Sequence, residues 1–209
     1  MKSIVMDSEY CSMGRWISAI VADALHIKFY EAKHLIAFAK VDWLTAEYLR
    51  EFDLKLTNMS VQEAKADEEF QRVYQTLSYA IKCAMKEGPC IIHERAAAHI
   101  LNGKADMIKV LLYNTSVEHK ITRIHVDPLY DVSKASDKEK AMILQKEDQM
   151  RRVYHDAVSD TLWGDKESYD ICLDSDALSK EKCAEILIEA CKDVHLDLDL
   201  CKQIIAKVF

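Results

Sequence analysis

The chain has 209 residues, with 28 lysines and arginines against 35 aspartates and glutamates, which gives a net charge of −7. Half of the residues are apolar and 30% are charged, as in one soluble globular domain. Only four glycines and two prolines occur. Their scarcity excludes collagen-like and low-complexity chains, argues against β-sandwiches and barrels, and indicates a helix-rich domain.

The charge balance and the cysteines predict the compartment of the protein and argue against some classes of binding partner. An acidic chain without a basic patch does not favour nucleic acid or a membrane surface as a partner. No apolar stretch approaches the roughly 20 residues that cross a bilayer, and the first residues lack the apolar run of a signal peptide. Seven cysteines without framework spacing indicate reduced thiols. We therefore expect a cytoplasmic protein, and the sequence does not indicate a homo-oligomer.

Short apolar runs predict strands, and apolar residues at helical spacing predict helices. The first half of the chain predicts a strand at Ser3–Met6, followed by helices at Gly14–Leu25, Glu31–Lys40, Trp43–Glu51 and Ser60–Glu87. Next come a strand at Cys90–His93, a helix at Glu94–Asn102 and a strand at Ile108–Tyr113. The last elements are a helix from Ser136 towards Thr161, a strand at Tyr169–Leu173 and helices at Ser179–Asp193 and Leu198–Val208. Two of the helices begin with capping boxes, and Gly103 is a typical helix stop.

The alternation of strands and helices predicts the fold class. Strands that are separated by helices imply crossover connections and a mostly parallel sheet. The expected fold is therefore α/β, with three layers: a parallel sheet and helices on both of its faces. The charged segment 119–162 carries no strand signal and is predicted to be a helical lid over the edge of the sheet. No linker divides the chain, so we expect a single domain over residues 1–209.

The turn after the first predicted strand is the first candidate site, because open parallel sheets bind ligands where strands end. Gly14 and Arg15 at the start of the helix suit a phosphate group. Of the four fixed positions in the pattern G-x-x-x-x-G-K-[ST], however, only Gly14 matches. Glu9, Arg15 and Trp16 stand at the other three. The alternative is a structural loop in which Ser12 caps the helix.

Two other patterns resemble reactive or metal-binding sites but predict neither. Cys11 is a candidate nucleophile because a helix N-terminus lowers the pKa of a thiol, but no general base lies near it in the sequence. His93 and Glu94 begin like the helix of a zinc protease, yet Ala97 stands where the second histidine belongs. We therefore expect no protein-bound metal site.

Basic residues form the second candidate site. One stripe of the predicted lid helix carries charged side chains at helical spacing, and it consists of Asp148, Arg151, Arg152 and His155. Arginines on a lid suit phosphate groups, while the alternative is a solvated helix face with local ion pairs. Arg95, just after the second predicted strand, is a further candidate for an anion contact. Its alternative is an exposed residue early in a helix.

Several segments, taken in order, resemble the cytidylate kinase-like family, a branch of the P-loop nucleoside monophosphate kinases. Ile4–Arg15 looks like that family's arginine-glutamate-tyrosine-glycine-serine-glycine-glycine-arginine loop. The other similar segments are Ile27–Ile36, Ile91–Leu101, Val110–Tyr113 with Lys120 and Arg123, Asp148–Tyr154 and the tryptophan-glycine-aspartate…tyrosine-aspartate ending at Trp163–Leu173. The resemblance spans most of the chain.

The resemblance implies ATP as the phosphoryl donor, Mg²⁺ held mainly by phosphates and water, and a nucleoside monophosphate such as CMP as the acceptor. It implies that residues 28–88 form a helical acceptor-binding part and that residues 119–162 form the lid. By position, the ATP phosphates would lie on Cys11, Ser12, Met13, Gly14, Arg15 and Trp16. The acceptor would contact Glu31, Arg95 and Asp148. The catalytic charges would be those of Arg15, Arg123, Arg151 and Arg152.

The chain departs from the family pattern at the positions that contact ligands. Cys11 and Met13 replace loop glycines, where side chains crowd a backbone that approaches phosphate or takes a positive φ. Glu94 replaces another glycine and adds a negative charge beside the expected acceptor site. Two hypotheses remain: a weak ATP-dependent kinase for a nucleoside monophosphate, or a catalytically impaired relative that binds a nucleotide or a protein partner as a regulatory module.

Overall fold

The computed structural model describes residues 1–102, 106–124, 130–192 and 202. This part of the chain forms five strands: β1 (Ser3–Ser8), β2 (Lys28–Tyr30), β3 (Cys90–His93), β4 (Met107–Tyr113) and β5 (Ile171–Asp174). Its α-helices are α1 (Gly14–Leu25), α2 (Ala32–Ala39), α3 (Ala46–Leu56), α4 (Val61–Ala66), α5 (Glu68–Met85), α6 (Ala97–Leu101), α7 (Val117–Arg123), α8 (Asp137–Asp156) and α9 (Lys180–Cys191).

The strands pair in parallel in the order β2-β3-β1-β4-β5. In the centre, Val5 of β1 lies opposite Ile92 of β3 on one side and Lys109 of β4 on the other. The chain thus leaves β1 towards one edge of the sheet and later returns to the other edge. This reversal creates a crevice at the carboxyl ends of β1 and β3, where such sheets bind ligands.

Helices cover both faces of the sheet, which confirms the predicted three-layer α/β fold. Val5 packs into an apolar cluster on one face, together with side chains from α2, α3, α5, α6 and α8. Ile4 and Met6, its neighbours along β1, pack into a second cluster with α1 and α9. Successive side chains of a strand point to opposite faces, so a strand between two helical layers is apolar throughout.

The helical segment between β2 and β3 differs from the prediction. A single helix over Ser60–Glu87 is wrong, because the backbone is extended at Asp67 (φ −79°, ψ 121°) and separates α4 from α5. The predicted capping box of Ser60 and Glu63 is confirmed at the start of α4. β2, with three residues, was not predicted, and the helix expected at Trp43–Glu51 lies at Ala46–Leu56 instead.

The chain after β3 also departs from a regular helix. The helix expected from Glu94 begins only at Ala97, because Glu94, Arg95 and Ala96 all have left-handed backbone, with φ values of 67°, 63° and 52°. In the predicted lid, α7 precedes the long α8, whose capping box at Ser136 is confirmed. The expected stop at Gly103 lies outside the described residues, and so does the helix expected at Leu198–Val208 except for residue 202. No helix in the described ranges is long and apolar enough to span a membrane.

Candidate functional site

The loop between β1 and α1 presents an uncapped helix N-terminus. Cys11 and Met13 both have left-handed backbone, with φ values of 63° and 70°. The expected capping role of Ser12 is wrong: its hydroxyl donates to the Leu112 carbonyl at 3.2 Å, and Met13 stands at the N-cap with no side-chain cap. The first N–H groups and the positive dipole end of α1 are therefore available to an anion.

Gly14 is required by packing beneath this loop. A Cβ atom at Gly14 would lie 2.4 Å from Ser8 Oγ and 3.0 Å from His93 Nε2. Ser8 Oγ and His93 Nε2 are themselves 3.0 Å apart and hydrogen-bonded. Burial lowers the pKa of His93, so its imidazole is neutral at neutral pH. The glycine thus lets α1 approach the ends of β1 and β3.

The lid helices contact the β1–α1 loop through charged side chains. The Tyr10 N–H donates to Asp148 Oδ1 of α8 at 2.6 Å. Burial raises the pKa of Asp148 to about 6, although this hydrogen bond lowers it. From α7, Lys120 pairs with Glu9 at 3.0 Å, and Arg123 Nη1 donates to the Cys11 carbonyl at 3.4 Å. A carboxylate of the protein therefore already occupies an N–H group of the loop.

A cavity of about 310 Å³ lies beside the loop, between the carboxyl end of β3 and helices α2, α3 and α8. We call it the central cavity. Its cationic lining residues are Arg15, Lys33, Arg50, Arg95 and Arg151. Its carboxylates are Glu31, Asp53, Glu94 and Glu147. The lining thus carries both charges in nearly equal number.

Arg95 forms a buried, bidentate ion pair with Asp53 of α3. Its two terminal nitrogens donate to the two carboxylate oxygens at 2.7 and 2.6 Å. Arg95 is only 8% exposed, so the alternative of an exposed helix residue is wrong. Burial alone would lower the pKa of Arg95, but Asp53 outweighs it and raises that pKa. Asp53 was not identified from the sequence, because no local pattern connects it with Arg95.

Arg151 of α8 bridges two carboxylates of the cavity. It donates to Glu94 Oε1 at 2.8 Å and to Glu147 Oε2 at 3.0 Å. Although burial raises the pKa of Glu94, Arg151 outweighs burial and lowers it to about 2. The charge of Glu94 is therefore compensated within the protein. Glu147, four residues before Arg151, could have been found from this helical spacing.

Glu31 is a buried lining residue of the cavity, at the start of α2. Arg15 Nε and Lys33 Nζ each lie 2.6 Å from one of its oxygens. Burial raises the pKa of Glu31, but Lys33 and Arg15 outweigh it and lower that pKa, so the group is a carboxylate. Its Oε2 atom is buried and makes no hydrogen bond, because Arg15 approaches outside hydrogen-bond geometry.

The structure brings together four of the expected site residues and separates the others. Those that line the central cavity are Arg15, Glu31, Arg95 and Arg151. Arg123 and Asp148 contact the β1–α1 loop instead. Arg152 points away from both, since it donates to the Trp163 carbonyl at 3.4 Å. Trp16 is 56% exposed, with Lys180 Nζ 5.3 Å from its ring centre.

The stripe on α8 is only partly a solvated face: Arg152 is exposed, and the expected local ion pair is present between Arg151 and Glu147, but the rest of the stripe is at least half-buried. His155 is buried and hydrogen-bonded to Asp156, and Arg151 lies among carboxylates. Among the residues described, no three His, Cys, Asp or Glu side chains are placed to hold a metal ion.

The sequence matches the cytidylate kinase-like family over residues 3–177. The chain belongs to this family. No curated protein matches it. Among solved structures, an uncharacterized protein from Eubacterium ventriosum is similar with a TM-score of 0.69 and 19% identity, covering 93% of this chain and 100% of that one.

Two shikimate kinases are also similar, at lower scores. The enzyme from Acinetobacter baumannii, in complex with shikimate, has a TM-score of 0.48 and 12% identity, covering 91% of this chain and 92% of its own. The enzyme from Aquifex aeolicus has a TM-score of 0.45 and 15% identity, covering 89% and 94%. At such identities the likeness concerns the fold alone.

Proposed function

We propose that the chain transfers a phosphoryl group from ATP to a small acceptor in the central cavity. The observation that carries this proposal is the position of the cavity, which opens beside the uncapped N-terminus of α1 at the carboxyl ends of β1 and β3. A phosphate on the loop and an acceptor in the cavity would be neighbours. Membership of the cytidylate kinase-like family supports a nucleotide kinase-like function.

The backbone conformation of the β1–α1 loop suits the binding of the ATP phosphates. Cys11 and Met13 hold the left-handed conformation that glycines usually provide, so the loop keeps its shape without them. ATP would supply the phosphoryl group. Mg²⁺ fits a site in which phosphate oxygens and water provide its ligands. For a phosphate to bind, the Asp148 carboxylate leaves the Tyr10 N–H or takes up a proton.

Phosphoryl transfer depends on positioning and on compensation of charge, which arginines provide. In this proposal Arg15 and Arg151 flank the transferred group, Arg123 supports the loop at the Cys11 carbonyl, and Arg95 orients the acceptor. Residues 28–88 are the acceptor-binding part and residues 119–162 the lid. A nucleoside monophosphate such as CMP, the acceptor that the family resemblance implies, is the first compound to test.

A catalytically impaired nucleotide-binding or partner-binding module is the second candidate. It is favoured by the Asp148 carboxylate on the loop N–H and by the side chains at Cys11 and Met13. In such a module the same loop would bind nucleotide weakly, or not at all, and the fold would serve regulation.

Thermal unfolding with ATP–Mg²⁺ and with CMP tests ligand binding. A ligand at 100 times its Kd adds about 2.7 kcal/mol to the free energy of unfolding. Release of ADP over a panel of acceptors then separates the kinase from the module. Arg15→Ala should abolish the ATP-dependent shift, whereas Arg72→Ala, which removes an arginine stacked on Trp43, should retain it. Without a shift for ATP in the wild-type protein, the kinase proposal fails.

Restoring the loop glycines tests whether the side chains limit nucleotide binding. Cys11→Gly with Met13→Gly should raise ATP affinity about tenfold, because glycine takes a positive φ without strain and opens the approach to phosphate. His26→Gly is the matched control: it relieves a φ of 54° at the other end of α1 and should leave ATP affinity unchanged. Equal affinity in all three proteins would show that these side chains do not limit binding.

A further inference from the structure

We propose that Lys33 of α2 forms, together with Arg15, an anion subsite of the central cavity that holds the phosphate of the acceptor. This inference rests on the proposed function and adds a residue to it, because Lys33 is not among the residues expected from the sequence to contact a ligand. Lys33 then selects acceptors that carry a phosphate group.

Two arginines of the cavity are already compensated by the protein. Arg95 pairs one to one with Asp53. Arg151 contacts two carboxylates, those of Glu94 and Glu147. Each of these arginines keeps further N–H donors, so both can orient a bound phosphate. The positive charge that compensates the phosphate has to come from another part of the lining.

The excess of positive charge lies at Arg15 and Lys33. Both contact the same carboxylate, since Arg15 Nε and Lys33 Nζ each lie 2.6 Å from one oxygen of Glu31. Within the described part of the chain, neither cation pairs with a second carboxylate. Two positive charges therefore share one negative charge, and this cluster keeps one positive charge in excess.

Both cationic groups are accessible to a ligand. The side chains of Arg15 and Lys33 are each 65% exposed, whereas that of Glu31 is only 9% exposed. Glu31 thus holds the two cations from the buried side. Guanidinium and ammonium groups both donate charge-assisted hydrogen bonds to phosphate, and each has N–H groups beyond the one that faces Glu31. The pair can therefore bind a phosphate without giving up Glu31.

The position of the pair suits the acceptor. Arg15 lies in the first turn of α1, next to the loop that is proposed to bind ATP, whereas Lys33 lies in the first turn of α2. Both line the central cavity, in which the acceptor is proposed to bind. Arg15 thus serves the donor and the acceptor, and Lys33 serves the acceptor alone. Replacement of Lys33 separates the two ligands.

The test compares the wild-type protein with Lys33→Gln and with Lys182→Gln, the same change at a lysine of α9 that is 59% exposed and pairs with Glu185. The probes are CMP, inorganic phosphate, cytidine and ATP–Mg²⁺, and the measurement is ligand-dependent thermal unfolding. Lys33→Gln should bind CMP and phosphate about tenfold more weakly, because it loses a charge-assisted contact. Its affinities for cytidine and ATP should match those of the wild-type protein and of Lys182→Gln.

Two further measurements separate an effect of charge from a change of structure. Lys33→Arg keeps the positive charge and should restore most of the affinity for CMP. Salt screens interactions between exposed charges, so the difference in CMP affinity between the wild-type protein and Lys33→Gln should shrink as the ionic strength rises.

Several outcomes overturn the inference. They are an equal CMP affinity in the wild-type protein and Lys33→Gln, an equal loss of affinity for cytidine or ATP, and the absence of any response of the wild-type protein to CMP and phosphate. Failure of the proposed function is distinct, because it is an absence of ATP binding, and CMP binding that depends on Lys33 would survive it. Turnover of CMP with ATP, with an unchanged KM for CMP in Lys33→Gln, would keep the kinase and overturn the subsite.

Discussion

At the scale of single residues, Asp148 joins the lid helix to the β1–α1 loop through one hydrogen bond. Its carboxylate accepts from the Tyr10 N–H at 2.6 Å, and burial raises its pKa to about 6. A carboxyl group in the unfolded chain has its ordinary pKa near 4. The folded protein therefore binds this proton more tightly than the unfolded chain does.

Asp148→Asn should flatten the dependence of stability on pH. The stability that protonation of Asp148 provides is full below about pH 4 and is lost as the pH rises to about 6. Between these values the wild-type protein should lose on the order of 2 kcal/mol more than the variant. Asp7, whose pKa burial also raises to about 6, contributes in both proteins. Urea unfolding at a series of pH values measures the difference.

The control for this experiment is Asp131→Asn. Asp131 is exposed, and hydrogen bonds from Ser133 lower its pKa, so its contribution has the opposite sign. Its replacement should not flatten the profile. Equal pH profiles for Asp148→Asn and the wild-type protein would show that the Asp148 carboxylate is not buried at the loop.

Some residues of the site could be found from the sequence and others could not. Arg95 is recognised because it follows a predicted strand, Arg151 because it stands in a helical stripe, and Glu31 through the family resemblance. Asp53 has no such signal, since its partner lies 42 residues away and the contact exists only after α3 packs near β3. The left-handed backbone at Glu94 is also hidden, because glycine, its usual signal, is absent.

At the scale of secondary structure, the break between α4 and α5 shows what periodicity misses. No glycine or proline occurs between Ser60 and Glu87, so the apolar pattern continues through the break. The local signal is Asp67, which is followed by two acidic residues, as at the start of a helix. β2 was missed because three residues, only one of them buried, give too short a pattern.

Asp67→Ala should destabilise the protein by about 1–2 kcal/mol, because it removes the N-cap of α5. The Asp67 carboxylate accepts from the Phe70 N–H at 2.7 Å and also binds Lys55 of α3 at 2.7 Å. Ser60→Ala removes the cap of the exposed first turn of α4 and should cost about 1 kcal/mol or less. Urea unfolding at neutral pH compares the two. A larger loss for Ser60→Ala would show that the Asp67 cap of α5 contributes less to stability than the Ser60 cap of α4.

At the scale of the whole molecule, the parallel sheet follows from the alternation of apolar runs and helices, whereas the electrostatics of the site depend on long-range contacts. Three helices bring their charges to the end of β3: α2 through Glu31, α3 through Asp53 and α8 through Arg151. Sequence patterns describe each element by itself. They do not determine which charges neutralise each other once the elements pack.

The Arg95–Asp53 pair links the helical segment before β3 to the sheet, so its removal should lower the free energy of unfolding of the whole protein. Arg95→Met leaves Asp53 without its bidentate partner and should cost about 3 kcal/mol or more. Asp53→Leu should cost more still, because it leaves the Arg95 charge without a partner. The Arg95 side chain is 8% exposed and the Asp53 side chain 20%, so water can compensate an unpaired Arg95 less well than an unpaired Asp53. The double variant removes both charges and should recover much of the loss, with a coupling of on the order of 2 kcal/mol in urea unfolding. Additive losses would mean that the two residues act independently. A double variant that is fully stable but no longer binds the acceptor would show that Arg95 contributes to ligand binding separately from its contribution to stability.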